Sequence, residues 1–193
     1  MKIFSLLAAF ACAVSCSSPI APELQHWGEM KSVLADGETQ ARVELNDCLT
    51  PSSIGLGAIE NLNGELTIVD GVAHISRVDN DSSLMTTVST AGHSGESATM
   101  LAMFNVESWE AIQLGHIDNI SQLEEIVNNE LASRGFDLTQ PIPFKVDATF
   151  ADITIHVLNQ SCPIADPDGP APWRADFQSK NGKLVGLFAD GWG

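Results

Sequence analysis

The sequence predicts a mixed α/β fold of the α+β type, mixed β-sheets with a few helices, and three features carry that expectation. The run from Gly55 to Arg77 holds two hairpin signals, Asn63-Gly64 and Asp70-Gly71, each flanked by apolar residues that alternate. Ser121 to Arg134 carries an amphipathic helix pattern with a start signal and a stop signal. The segments FKVDATFADITIHVLNQ and WRADFQ to KLVGLFAD alternate again in the manner of strands. Strands punctuated by helices, without internal repeats or low-complexity tracts, define this class.

The first sixteen residues, MKIFSLLAAFACAVSC, have one basic residue and an apolar run too short to span a bilayer, followed by small residues. They read as a signal peptide. Ala13-Val14-Ser15-Cys16 resembles a bacterial lipobox, so Cys16 is the expected lipidated N-terminus of an exported periplasmic or outer-membrane lipoprotein, with ordinary secretion as the alternative. Such an anchor holds a domain at a membrane surface without a transmembrane helix. Residues 17–22, SSPIAP, form a short tether, and residues 23–193 form the folded domain.

Within that domain Leu24, Trp27, Lys31 and Leu34 fall at spacings that predict a helix closed by Gly37. Thr39 to Leu45 fits either a second short helix or a strand, and TPSS breaks what precedes it. The two Gly-containing turns then predict a β-meander. Its middle strand, ELTIVDG, opens with Glu65, which places a carboxylate at the rim of a sheet. VDNDSS is a turn, and ATMLAMFNV and WEAIQLG are two apolar strand candidates. In the helix that follows, Ser121 and Glu124 make a capping box. Leu123, Ile126, Val127 and Leu131 make its apolar face, and Gly135 ends it. QPIP leads into FKVDATFADITIHVLNQ, read as two strands joined around Ala148 or as one continuous strand. CPIADPDGPAP is a loop, and WRADFQ and KLVGLFAD are expected to form a hairpin joined at Asn181-Gly182.

Composition narrows the function. Of 193 residues, 44% are hydrophobic, enough for a core in one domain. Nine basic against twenty-five acidic side chains leave a net charge of −16 with no Lys/Arg cluster, so a polyanion is repelled and nucleic-acid binding is excluded. Cys48 and Cys162 lie in the exported domain, where a disulfide and two buried free thiols are both open readings. No CxxC or CxxH spacing points to zinc on cysteine. Asp166-Pro167-Asp168-Gly169 begins like a calcium loop, but no later acid completes the twelve-residue pattern, and it reads as a turn. No GxSxG motif or Cys/His arrangement marks a hydrolase.

The GLG of Gly55 to Gly57, the Asn-Leu-x-Gly-Glu of Asn61 to Glu65 and the Asp70-Gly71 pair together resemble the acetolactate decarboxylase family. The LAMF strand, the Ser121 helix, the VDATF run and the KLVGLF segment follow in the family's order, from about Trp27 to Gly193. The resemblance implies an acetolactate decarboxylase-like fold and a zinc-dependent carboxy-lyase that converts 2-acetolactate, a 2-hydroxy-3-oxo acid, to acetoin. It points to Glu65 as a proton-handling or substrate-orienting carboxylate. It places His156 where the family carries the arginine that pairs with the substrate carboxylate, a departure that implies weaker or different recognition. The family's zinc is held by three histidines that follow the segment matching KLVGLF. The histidines present, His26, His74, His93, His116 and His156, show no HxH or HxxxH spacing and none is expected to ligate. The chain is therefore expected to be a fragment whose continuation beyond Gly193 carries the ligands, a partner that completes the sheet being the other reading. Expected partners are a small hydroxy-keto acid and, through the lipid anchor only, the membrane surface; a homodimer is left open. The alternative function is a non-catalytic exported binding protein on the same scaffold.

Overall fold

The structure, a computed structural model, describes residues 22–162 and 166–188. The expected signal peptide, the expected lipidation site Cys16 and nearly all of the tether lie outside the described residues, as does part of the CPIADPDGPAP loop. No helix among the described residues is long and apolar enough to cross a membrane.

Among the described residues nine strands and three α-helices follow in the order β1 (Gln25–Trp27), α1 (Met30–Leu34), β2 (Val43–Glu44), α2 (Leu45–Cys48), β3 (Ser53–Ile59), β4 (Glu65–Val69), β5 (Val72–Val78), β6 (Leu84–Thr90), β7 (Ser97–Asn105), α3 (Ile120–Ser133), β8 (Ile142–Val157) and β9 (Trp173–Phe188). A short 3₁₀ turn, Glu60–Leu62, joins β3 to β4. Strands β1 to β7 make one seven-stranded sheet in the order β1-β7-β3-β4-β5-β6, with β2 pairing β7 beside β1. Strands β8 and β9 form a separate two-stranded ribbon, antiparallel over their whole length from the Ile142–Phe188 pair to the Val157–Trp173 pair. The mixed fold class stands: mostly sheet, with few helices.

Alternation explains the large sheet. In β4 and β5 every second residue is buried: Leu66, Ile68, Ala73 and Ile75 point to one face and pack with Leu101 and Met103 of β7 under Leu45, Cys48 and Leu49 of the α2 region. The opposite face carries two further clusters. Ile54 and Phe104 meet Val185 and Leu187 of β9, while Ala58 and Leu62 meet Val33 of α1, Leu158 and Cys162. Cys48 and Cys162 thus sit on opposite faces, both buried and both free, which decides the thiol question against a disulfide. The GLG motif lies where β3 runs tightly against β7: a Cβ on Gly57 would stand 2.2 Å from the Met100 carbonyl oxygen.

Several local expectations are corrected. The helix expected from Leu24 to Gly37 is only Met30–Leu34, because Gly28 at φ +70 turns the chain and Trp27 pairs with Leu101 in β1. Thr39 to Leu45 contributes a two-residue strand and then the start of α2. Asp70 (φ 49) and Gly71 (φ 75) form the expected tight turn, but Asn63 stays at φ −82 and the β3–β4 connection is the longer 3₁₀ turn. LMTTVST, passed over in the sequence, is edge strand β6, and WEAIQLG is not a strand. The cap of helix α3 lies two residues before the expected one, since the Asn119 side chain, not Ser121, accepts the Gln122 N–H at 3.0 Å. Gly135 at φ +79 ends it as expected. FKVDATFADITIHV is one continuous strand. Asn181-Gly182 makes no turn, because β8 offers β9 an unbroken partner and the Thr149 hydroxyl donates to Asn181 Oδ1 across the pair at 2.6 Å.

Candidate functional site

Glu65 is the first residue of β4, between Ala58 of β3 and Ser76 of β5. Strand alternation puts it on the face away from Leu66 and Ile68, together with Thr67, and the register adds Ser76 and His74 from β5 to the same face. Ser76 continues this polar row into β6, with its hydroxyl 3.2 Å from that of Thr86.

The ribbon brings the second half of the site. At the end of β8, the backbone N–H of Leu158 donates to Glu65 Oε1 at 3.2 Å, a contact between residues 93 apart in sequence. Two further hydrogen bonds pin the neighbouring turn: Gln160 N–H to the Leu62 carbonyl at 3.1 Å, and Asn61 N–H to the Thr39 carbonyl at 2.7 Å. Asn61 and Leu62 are both held at positive φ, 60 and 53. A leucine in that region costs about 1–2 kcal/mol, tolerated because the chain is clamped from both sides. The clamp sets where β4 begins and so where Glu65 points.

Burial pushes the Glu65 carboxyl above its ordinary range; the Leu158 N–H and the charge of His156, two residues before it on β8, pull the other way without cancelling the rise. The folded state therefore holds this proton more tightly than the unfolded chain does. Its contribution favours folding at low pH and is lost as the pH rises through the raised value.

His156 is exposed, and its cross-strand partner on the same ribbon face is Arg174. The next pair on that face is Thr154 and Asp176, where the threonine hydroxyl donates to Asp176 Oδ1 at 2.6 Å and holds that carboxyl below its ordinary range. A shallow hollow of about 250 Å³ lined by Asp152, Thr154 and Asp176 adjoins this row and does not include Glu65. The Glu65 hydrogen bond, and not the hollow, joins a carboxyl raised by burial to the ribbon.

The structure thus brings Glu65 and His156, singled out from the sequence, to one junction between the large sheet and the ribbon. His26 lies in β1 on the far side of β7, and His93 and His116 are exposed, apart from this junction. His74 was read as a lone histidine, yet the Asp70-Gly71 turn fixes a register in which it faces Thr67, next to Glu65 along the same face. Leu158 had no signal at all, because a backbone donor is invisible to side-chain reasoning. Among the described residues no group of three or more His, Cys, Asp or Glu side chains stands where it could hold a metal ion. The donor set described does not fit a zinc centre with three protein ligands.

A sheet-and-ribbon architecture with a rim carboxylate at the junction is the class that the geometry defines. The family model described as alpha-acetolactate decarboxylase matches residues 28–189, and the chain belongs to that family. Three solved structures are similar to it. A protein of unknown function from Staphylococcus aureus, described as similar to alpha-acetolactate decarboxylase, shares 15% identity at a TM-score of 0.66, over 86% of this chain and 67% of that one. Alpha-acetolactate decarboxylase from Bacillus subtilis strain 168 shares 19% identity at a TM-score of 0.60, over 88% and 68% of the two chains. Acetolactate decarboxylase from Bacillus subtilis subspecies spizizenii shares 19% identity at a TM-score of 0.58, over 85% and 67%. At these identities the likeness carries the fold. No functionally curated protein matches the chain.

Proposed function

We propose that this member of the family acts as a carboxy-lyase on a 2-hydroxy-3-oxo acid, with 2-acetolactate as substrate and acetoin as product. The observation that carries the reading is the Glu65 carboxyl, raised by burial and fixed against β8 by the Leu158 N–H. In such an acid the ketone lies β to the carboxylate and is the electron sink. As the bond between the carboxylate carbon and C2 breaks, its electron pair enters a C2–C3 double bond and carbon dioxide leaves. Glu65 in its acid form donates its proton to the C3 oxygen, so the product of this step is a neutral enediol rather than an enolate anion. A proton from solvent water adds at C2, and return of the C3 hydroxyl proton to the Glu65 carboxylate gives the hydroxyketone and resets the acid. In this reading His156 donates a hydrogen bond to the substrate carboxylate. These steps use side chains of this chain alone, since the described residues do not make a zinc site.

The test is acetoin formation and carbon dioxide release from 2-acetolactate by the purified chain, with added zinc and with chelator as separate arms. Turnover that Glu65→Gln lowers roughly 100-fold, within the range of general acid–base effects, is expected. A folded wild-type protein that leaves 2-acetolactate unchanged in every arm overturns the reading.

A further inference from the structure

The large sheet ends in two unlike edges. On one side β7 is flanked by β1 and β2, three and two residues long, and Gly28 at φ +70 turns the chain out of β1 before a longer edge can form. Arg42 and Glu44 add charge there. Short, bent and charged edges are how sheets avoid pairing with other chains. The other edge is β6, LMTTVST, matched to β5 without a register shift from the Val78–Leu84 pair to the Val72–Thr90 pair. It carries no charge and no proline, and among the described residues no strand pairs with its outer side. Met85 at 51% exposure and Val88 at 61% stand on its two faces.

We propose that the outer edge of β6 is a docking surface for the β6 of a second copy of this chain, antiparallel about a two-fold axis at Thr87, so that two seven-stranded sheets join into one. The interface stands apart from the carboxy-lyase reaction and does not rest on it. Charge selects both the occupant and its direction. Two chains of net charge −16 repel at most points of contact, and a neutral strand is where they meet with least repulsion. Antiparallel pairing sets the turn at 79–83 of each copy, with Asp79 and the exposed Asp81, beside the exposed His93 that follows β6 in the other copy. A parallel pairing would instead bring the two acidic turns together. The side chains are self-complementary in this register: Thr87 faces Thr87, Val88 faces Thr86 and Met85 faces Ser89 of the second copy, each contact occurring twice. Backbone N–H and C=O groups that otherwise face water extend the ladder. A single strand pair is small for an interface, so the association is reversible.

The test is sedimentation velocity on the purified full chain from about 1 μM to about 1 mM, a span that covers weak association. The wild type is expected to pass from the mass of one chain to that of two. Thr87 is exposed, and Thr87→Lys sets two ammonium groups against each other across the axis. It is expected to raise the dimer dissociation constant roughly tenfold or more, and Thr87→Glu to do the same, while an equimolar mixture of the two variants regains the dimer as a heterodimer. That regain is a result an unfolded variant cannot give. Amide hydrogen exchange supplies a second readout: protection of β6 in the wild type is expected to rise with protein concentration, with β1 and β2 unchanged. A wild type that stays monomeric throughout the range overturns the proposal. So does a dimer that both Thr87 variants leave intact, or one that the mixture fails to restore.

Discussion

The seven-stranded sheet and the β8–β9 ribbon are both antiparallel, yet they are built for different ends. The sheet buries residues on both faces, with Ile54, Leu66, Ile68, Ala73, Met103 and Phe104 at 1% exposure or less. The ribbon buries only its ends: Ile142, Val157 and Val185 are covered, while the middle of both strands is open to solvent. Glu65 lies where the two meet, on the packed partner, with His156 on the open one. A well-packed sheet can hold a carboxyl in an unfavourable place, because the burial that raises its pKa is offset by the core beneath it. An open ribbon can present donors to a ligand at little desolvation cost.

The contrast is broken most directly by truncating one apolar residue in each region. Ile68→Ala, in the fully buried row of the sheet, is expected to lower unfolding stability by about 3–4 kcal/mol in urea titration, from lost transfer energy and a residual cavity. Ile155→Ala, at 39% exposure on the ribbon, is expected to cost less than about 1 kcal/mol. Similar losses at both positions would mean that the middle of the ribbon is packed as closely as the sheet. A smaller effect concerns how the ribbon is fastened. Lys145 of β8 reaches Asp70 in the β4–β5 turn at 2.8 Å and lies 4.6 Å from the centre of the Trp109 ring. Lys145→Met is expected to cost about 1 kcal/mol, the sum of a partly exposed ion pair and a cation–π contact. In amide hydrogen exchange the loss of protection should fall on β8 and β9 and spare the β3–β4–β5 strands; loss spread evenly over both would contradict it.

Legibility in the sequence follows the same divide. The meander was readable because burial on one face imposes a period of two on Leu66, Ile68, Ala73 and Ile75, and because Asp-Gly fits a turn with two positive φ angles. Glu65 was readable as a rim carboxylate for the same reason. The ribbon was harder. Its strands are half exposed, so no burial pattern marks their continuity, and Asn181-Gly182 carries a hairpin signal that tertiary pairing overrides. The β3–β4 connection misled because two of its positive φ angles fall on Asn61 and Leu62, held by Thr39 and Gln160, while in the Asn-Gly pair only Gly64, and not Asn63, turns positive. Edge strand β6 was missed because exposure on both faces leaves it without apolar alternation. The contact between Glu65 and Leu158 was not legible, since nothing local fixes where a strand end ninety residues later will dock.

The claim that joins these regions is that Glu65 is a carboxyl kept protonated longer than usual by burial and tempered by β8. Its pKa, followed by carbon-detected NMR titration in the wild type and in His156→Ala, tests that claim without any need for turnover. The account predicts a wild-type value above the ordinary glutamate value of about 4.3, and a further rise when the positive charge of His156 is removed. A wild-type value at or below the ordinary one, or a fall on removing His156, would contradict it.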